Sequence, residues 1–178
     1  RVESNVAGWR VRHGEKAVLG QFPFVVLIFS GSSMCTASIV GANKVLTAGH
    51  CVCGSSDMRD VITETLVFRN FEQRHVYKIA KVTVSPGYEY TCSRRRSGYR
   101  GGVAGNDIAM ITTKDNFRFN SNVQASKIAS VKPNAAERVT IAGYGRDERG
   151  RSGVLKHGSL NLKECPTGQC ERYRCPVL

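Results

Sequence analysis

Seven cysteines carry much of the reactive chemistry available to this 178-residue chain. So many cysteines in a chain of this size indicate an oxidising compartment, in which thiols pair as disulfides. Their spacing contains no paired Cys-x-x-Cys knuckles, and His13, His75 and His157 lack ligand spacing, so we expect no metal site. The odd count leaves one thiol that is either free or bonded to another chain. The cysteines are Cys35, Cys51, Cys53, Cys92, Cys165, Cys170 and Cys175.

Arginines are concentrated in two glycine-containing segments, residues 92–105 and 145–153, which we predict to be polar loops. Guanidinium groups bind sulfate or phosphate through paired N–H donors, and such binding weakens steeply as salt rises. A solvated loop without a specific ligand is an equally open interpretation. The candidate polyanion-binding residues are Arg94, Arg95, Arg96, Arg100, Arg146, Arg149 and Arg151.

The charge of the whole chain points the same way. Twenty-six Lys and Arg against 14 Asp and Glu give a net charge of +12, which favours acidic partners. A sulfated glycan fits better than nucleic acid, because the tyrosines and phenylalanines are not interleaved with the arginines as base-stacking platforms would be.

The elements that must position these residues are short strands. A composition of 41% hydrophobic and 22% charged residues is typical of a globular protein, and the longest apolar run, residues 22–29, is too short to cross a bilayer. No long stretch shows helical spacing, whereas turn signals separate short apolar runs, which indicates an all-β barrel or sandwich. The predicted strands are residues 24–29, 37–40, 44–47, 60–69, 76–84, 107–112, 139–142 and 154–162.

The sharpest local pattern is the segment Val-Leu-Thr-Ala-Gly-His-Cys, residues 45–51, with Cys35 sixteen residues before Cys51. A histidine alone is usually a hydrogen-bonded core residue, but other segments accompany this one. They are residues 10–14 with 20–24, residues 105–110 (Gly-Asn-Asp-Ile-Ala-Met) and residues 141–145 (Ile-Ala-Gly-Tyr-Gly). Together, and in this order, they resemble the trypsin-like (chymotrypsin-fold) serine proteases.

The resemblance implies roles for individual residues. His50 would be the general base, and Asp107 would orient it and stabilise the imidazolium. Cys51 would be bridged to Cys35. A second bridge between Cys53 and Cys92 is plausible but left open, because the loops that carry them are neighbours in the family. The implied fold is all-β, a trypsin-like N-terminal six-stranded β-barrel plus an incomplete C-terminal barrel remnant.

The pattern departs from the family at the nucleophile. The 178 residues contain no Gly-Asp-Ser-Gly-Gly segment, and Ser152 and Ser159 stand in the wrong order and context to replace it. We therefore expect no peptidase activity, a vestigial His50 and Asp107, and no cofactor. The family's Ile-Val-Gly-Gly activation segment is also degraded, to Val-Arg-His-Gly after Arg10.

The expected organisation follows these motifs. Residues 1–10 form a propeptide-like tail, 11–118 the N-terminal barrel, 119–130 a linker, 131–164 the partial C-terminal barrel and 165–178 a Cys-rich tail. We expect the remnant to pack on the first barrel, since so short a piece cannot bury a core of its own.

Three functions remain open at this point. The first is a secreted, extracellular protease homologue that binds a component of a proteolytic cascade (coagulation, complement or innate immunity) as a decoy or inhibitor. The second is a polyanion- or glycosaminoglycan-binding module that uses the basic loops. The third is a portion of an active protease that another chain completes. A homodimer through an exposed strand edge or the odd cysteine is compatible with each, and no membrane span is expected.

Overall fold

A computed structural model describes residues 14–30, 33–53, 58–68, 74–88, 106–131, 133–134, 136–147 and 149–162. Several residues singled out in the sequence lie outside these ranges. They are Arg10, His13, Cys92, Arg94, Arg95, Arg96, Arg100, Cys165, Cys170 and Cys175.

The larger part of the described structure is a closed antiparallel barrel of six strands, in the order β2-β3-β4-β7-β6-β5. Its strands are β2 (Val25–Ser30), β3 (Ser33–Gly41), β4 (Lys44–Thr47), β5 (Met58–Thr63), β6 (His75–Val84) and β7 (Ala109–Thr113). A single helical turn, α1 (Gly49–Val52), follows β4. The all-β fold class and the six-stranded barrel predicted from the sequence are confirmed. Among the described residues no helix is long and apolar enough to span a membrane.

The barrel interior is filled by alternate residues of its strands. In β7 the pattern is regular: Ala109, Ile111 and Thr113 are buried, while the residues between them are less so. The most buried apolar side chains of this core include Val26, Ile28, Ile39, Val45, Val61 and Ile111. Such alternation is what a strand with one face on a core requires, because successive side chains point to opposite faces.

Strand β6 departs from strict alternation. Its pairing with β7 shifts register between Ile79 and Lys81, so that Ala80 is an extra residue, a β-bulge. Tyr77 and the partly buried Ile79, Val82 and Val84 pack on the core. Residues that flank the bulge on the outer face of β6 are therefore three positions apart in the chain, instead of the usual two.

A second, three-stranded sheet has the order β1-β9-β8, formed by β1 (Glu15–Lys16), β8 (Arg138–Gly143) and β9 (Lys156–Asn161). It packs on the barrel through a second apolar cluster, composed of Ala17, Val25, Leu27, Ile62, Tyr144 and Leu155. Residues 15–16 thus pair with a strand from the C-terminal part of the chain. The division of the chain expected from the sequence is still a prediction.

Strand β5 is shorter than the sequence indicates. The predicted strand covers residues 60–69, whereas β5 ends at Thr63. The reason is Glu64, whose φ of 55° lies in the left-handed region and turns the chain out of the sheet. The strand predicted over residues 154–162 is also shorter in the structure, where β9 begins at Lys156.

Tyr144 joins the second sheet to the barrel. Its hydroxyl donates a hydrogen bond to the Thr65 carbonyl oxygen at 2.6 Å, and its backbone N–H donates to Thr36 Oγ1 at 2.9 Å. The side chain is 3% exposed, and burial raises the pKa of its hydroxyl far above the ordinary value, so the group stays protonated and can donate.

We expect Tyr144→Phe to lower the free energy of unfolding by about 1–3 kcal/mol, because the buried Thr65 carbonyl loses its donor while the ring packing is kept. Urea denaturation checks this. Thr140→Val is the control, since the Thr140 hydroxyl is exposed and its hydrogen-bond partner within the described residues is the Ser159 hydroxyl at 3.4 Å. Equal changes in the two variants would contradict the inferred role of Tyr144.

Candidate active site

The end of β4 places His50. The strand ends at Thr47, Ala48 is extended, and α1 begins at Gly49, so His50 is the second residue of a one-turn helix. Gly49 lies against the ring of Tyr88, and a Cβ at this position would be 2.6 Å from Tyr88 Cδ1. Only glycine allows that approach. Tyr88 is itself buried, and it therefore helps to fix the backbone that carries His50.

A disulfide fixes the same turn from the other side. Cys51 is bonded to Cys35 of β3, the pairing that the resemblance implies. Closing a loop of this size stabilises the folded state by about 3 kcal/mol in the chain-entropy account. Cys53 is also disulfide-bonded, and its partner lies outside the described residues, so the Cys53–Cys92 bridge is still a prediction.

Asp107 lies just before β7. Asn106 has a φ of 59°, and the Ile108 N–H donates to the Asn106 carbonyl at 2.7 Å, which closes a tight turn around Asp107. A Cβ at Gly87 would overlap the Asn106 side-chain amide, so a larger residue there would require that amide to move. In the antiparallel pairing of β4 with β7, Thr47 lies opposite Ala109. The register therefore brings the residues that follow β4 next to the residues that precede β7.

Both oxygens of the Asp107 carboxylate contact His50. Oδ1 accepts the His50 backbone N–H at 2.7 Å, and Oδ2 lies 2.7 Å from His50 Nδ1. A carboxylate accepts from Nδ1–H, so this contact selects the tautomer in which Nε2 has a free lone pair. The two side chains are 30% and 31% exposed, which leaves the pair accessible. This is the geometry that a general base and its orienting carboxylate require.

One group of candidate metal ligands exists among the described residues. It consists of Cys35, His50 and Cys51. The two sulfur atoms are joined in the disulfide, and Cys51 Sγ lies 3.6 Å from His50 Nε2. A disulfide offers no thiolate, so this group is not a metal site while the bridge is intact.

The second arginine-rich segment is organised around Asp147. This side chain is 6% exposed. Oδ1 accepts the backbone N–H groups of Arg149 and Arg151 at 3.0 and 2.9 Å, and Oδ2 lies 3.1 Å from Arg151 Nη2 and 3.4 Å from Lys156 Nζ. Burial alone would raise the pKa of Asp147, but these hydrogen bonds outweigh it and lower the pKa to about 2.

The structure thus separates the candidate residues into two places. His50 and Asp107 meet, beside the Cys35–Cys51 bridge, whereas Arg146, Arg149 and Arg151 are exposed on a distinct loop. The Arg151 guanidinium is paired with Asp147, which reduces the charge that the loop offers to a polyanion. Sequence reasoning missed Asp147 and Tyr88, because neither stands in a spacing pattern that signals a buried contact. It included Gly49 in the segment 45–51 but did not predict the packing of this glycine on Tyr88.

Comparisons with known proteins bear on the family of this chain. A family model described as trypsin matches residues 11–175. The cercarial protease of Schistosoma mansoni is 32% identical over 172 residues, which cover 90% of this chain and 64% of that protein. Trypsin alpha of Drosophila melanogaster is 27% identical over 157 residues, which cover 86% of this chain and 57% of that protein. The chain therefore spans about three fifths of the length of these curated relatives.

Solved structures show the same fold. Human heparin binding protein matches with a TM-score of 0.73 at 18% identity, covering 88% of this chain and 69% of that one. Neuropsin, a serine protease from mouse brain, matches with a TM-score of 0.72 at 17% identity, covering 90% and 68%.

The tautomer of His50 should depend on Asp107. In Asp107→Asn the amide can donate to Nδ1, so we expect the proton to move to Nε2 and the free lone pair to be lost. Nitrogen-15 NMR of labelled histidine reports the tautomer directly. Asp115→Asn is the control, because that exposed carboxylate has no ion pair among the described residues. An unchanged tautomer in Asp107→Asn would contradict the assignment.

Acid should weaken the fold through Asp147. Because its pKa is lower in the folded protein, the stabilisation is complete above about pH 5 and is lost progressively as the pH falls through the folded pKa of about 2. Asp147→Asn should therefore melt below the original protein at pH 6, and the two melting curves should converge near pH 2. The matched variant Asp115→Asn should follow the original protein at every pH. A constant difference between Asp147→Asn and the original protein would exclude the proposed linkage.

Proposed function

The chain belongs to the trypsin family, and we propose that it retains the geometry of the proton-transfer half of a serine protease site: Nε2 of His50 is placed to accept the proton of a serine hydroxyl, and Asp107 is placed to stabilise the imidazolium that would form. The observation that carries this proposal is the double contact of the Asp107 carboxylate with His50, at 2.7 Å to the backbone nitrogen and 2.7 Å to Nδ1. The two contacts orient the imidazole before any substrate binds, which is what a general base requires.

A general base needs a nucleophile to activate. None of the serines in the 178 residues stands in the motif that carries the family's nucleophile. The 178 residues contain no Gly-Asp-Ser-Gly-Gly segment. A base without a nucleophile cannot form an acyl-enzyme, since removal of triad members leaves only what the oxyanion hole and substrate binding supply. We propose that the 178-residue polypeptide by itself does not cleave peptide bonds.

Acting alone, such a polypeptide would work by binding. A protease-like surface without turnover competes with an active protease for its partner, so we propose a decoy or inhibitor that engages a component of a coagulation, complement or innate-immune cascade. The disulfides at Cys51 and Cys53 support a secreted, extracellular location.

A second candidate rests on the geometry of the pair. An imidazole held in the reactive tautomer is what a working protease needs, and it favours a site that another polypeptide completes by supplying the nucleophile. In that case the chain is the general-base portion of an active enzyme, and peptidase activity appears when the completing polypeptide binds.

Hydrolysis of chromogenic peptide esters and amides, together with labelling by a fluorophosphonate, tests the first claim. We expect neither reaction above buffer for the 178-residue protein or for His50→Ala. Turnover that disappears in His50→Ala would overturn the proposal that the polypeptide alone is inactive.

Capture from plasma or haemolymph tests the decoy. A specific cascade protein should be retained at physiological and at high salt, equally by the original protein and by His50→Ala, because binding needs no proton transfer. Only acidic material that leaves with salt would overturn the decoy. Capture of a polypeptide that contains a Gly-Asp-Ser-Gly-Gly segment, with peptidase activity in the complex that His50→Ala lacks, would establish the second candidate in its place.

A further inference from the structure

The bulge in β6 places two lysines on one face of the sheet. Lys78 and Lys81 are three residues apart, and in a regular strand they would point to opposite faces. The extra residue at Ala80 changes this: Ile79 and Val82 pack on the core on either side of it, and both lysines are exposed on the outside of the barrel.

The neighbouring strands add to this face. Lys81 is paired with Thr112 of β7, and Thr112 is paired with Lys44 of β4, so the three residues form a row across three strands. The Lys44 ammonium donates to Thr112 Oγ1 at 2.8 Å. At about 4.8 Å between adjacent strands, the backbones of Lys44 and Lys81 are roughly 10 Å apart.

A fourth lysine lies beside Lys78. The backbone N–H of Lys114, one residue after β7, donates to the Lys78 carbonyl at 2.8 Å. Lys114 is exposed. We call the surface formed by Lys44, Lys78, Lys81 and Lys114 the lysine face.

The lysine face keeps most of its positive charge. Lys78 is paired with Asp60 at 2.6 Å, and Asp115 follows Lys114 in the chain. Within the described part of the molecule, no ion pair involves Lys44, Lys81 or Lys114. In contrast, Arg151 of the arginine-rich loop is held by Asp147.

We propose that the lysine face binds a sulfated glycan chain. Ammonium groups spread over roughly 10 Å can contact several sulfates of one linear polyanion at once. The aromatic side chains under this face, Tyr77 and Phe117, are buried and pack against each other, so they offer no platform on which nucleic-acid bases could stack. The chemistry therefore favours a glycan over nucleic acid.

This site is separate from the His50–Asp107 pair. Lys44 and Thr112 form one end of the β4–β7 pairing, whereas Thr47 and Ala109, next to the pair, form the other end. Three residues along a strand span about 10 Å. A glycan on the lysine face would leave the pair uncovered, so the inference is independent of the proposed function.

Heparin binding tests the proposal with two variants of equal charge change. The first is Lys44→Gln with Lys81→Gln and Lys114→Gln. The control is Lys16→Gln with Lys127→Gln and Arg138→Gln, three exposed residues that do not belong to the lysine face; Lys16 and Arg138 lie in the second sheet. We expect the first variant to bind heparin at least about tenfold more weakly, with a salt slope reduced by roughly one for each lost contact, and the control to bind almost as the original protein does.

Other outcomes would overturn the proposal. Equal losses in both variants would indicate non-specific attraction by net charge. A loss confined to Arg146→Gln with Arg149→Gln and Arg151→Gln would move the site to the arginine-rich loop. Single-stranded DNA of matched charge that binds as tightly as heparin, with binding that is lost in the same variant, would favour nucleic acid.

The single variant Lys81→Gln separates binding from stability. Lys81 is exposed and has no ion pair among the described residues, so Lys81→Gln should keep the melting temperature and still weaken heparin binding.

Discussion

The antiparallel pairing of β4 with β7 is the constraint on which the rest of the structure depends. His50 and Asp107 are 57 residues apart in the chain, and they meet because the register sets Thr47 against Ala109. A shift of one residue would turn the buried Val45 and Ile111 outward and separate the pair. Since the barrel is closed, neither strand can slip without breaking its pairing on the other side.

The His50–Asp107 pair is held firmly in place, although both side chains are partly exposed to solvent. Three different forces act on the short turn that carries His50: a covalent bridge at Cys51, close packing of Tyr88 on Gly49, and the Asp107 carboxylate on the backbone N–H of His50 itself. The imidazole is therefore positioned by the fold and not by a bound substrate. Orientation that exists before binding costs nothing at the time of reaction.

Local sequence patterns predicted the all-β class and most of the strands, because alternation and turn residues act over a few neighbours. The resemblance to a family supplied the pairing of His50 with Asp107, which no short-range pattern contains. Three features escaped both approaches. The left-handed Glu64 and the extra residue at Ala80 depend on contacts between distant segments, and the buried Asp147 depends on a loop that folds back over its carboxylate. Charged or small residues at such positions look like solvated surface in the sequence.

Because of the bulge at Ala80, the packing of the barrel core and the charge of the outer surface can change independently. The inward residues of β6 must keep their volume, because they fill a shared core. The outward lysines meet only solvent and neighbouring polar groups, so substitution there leaves the packing intact. Deletion of the extra residue would turn every side chain of β6 on one side of it to the opposite face of the sheet. The electrostatic character of this surface is thus open to evolutionary change by substitution, while the length of the strand is not.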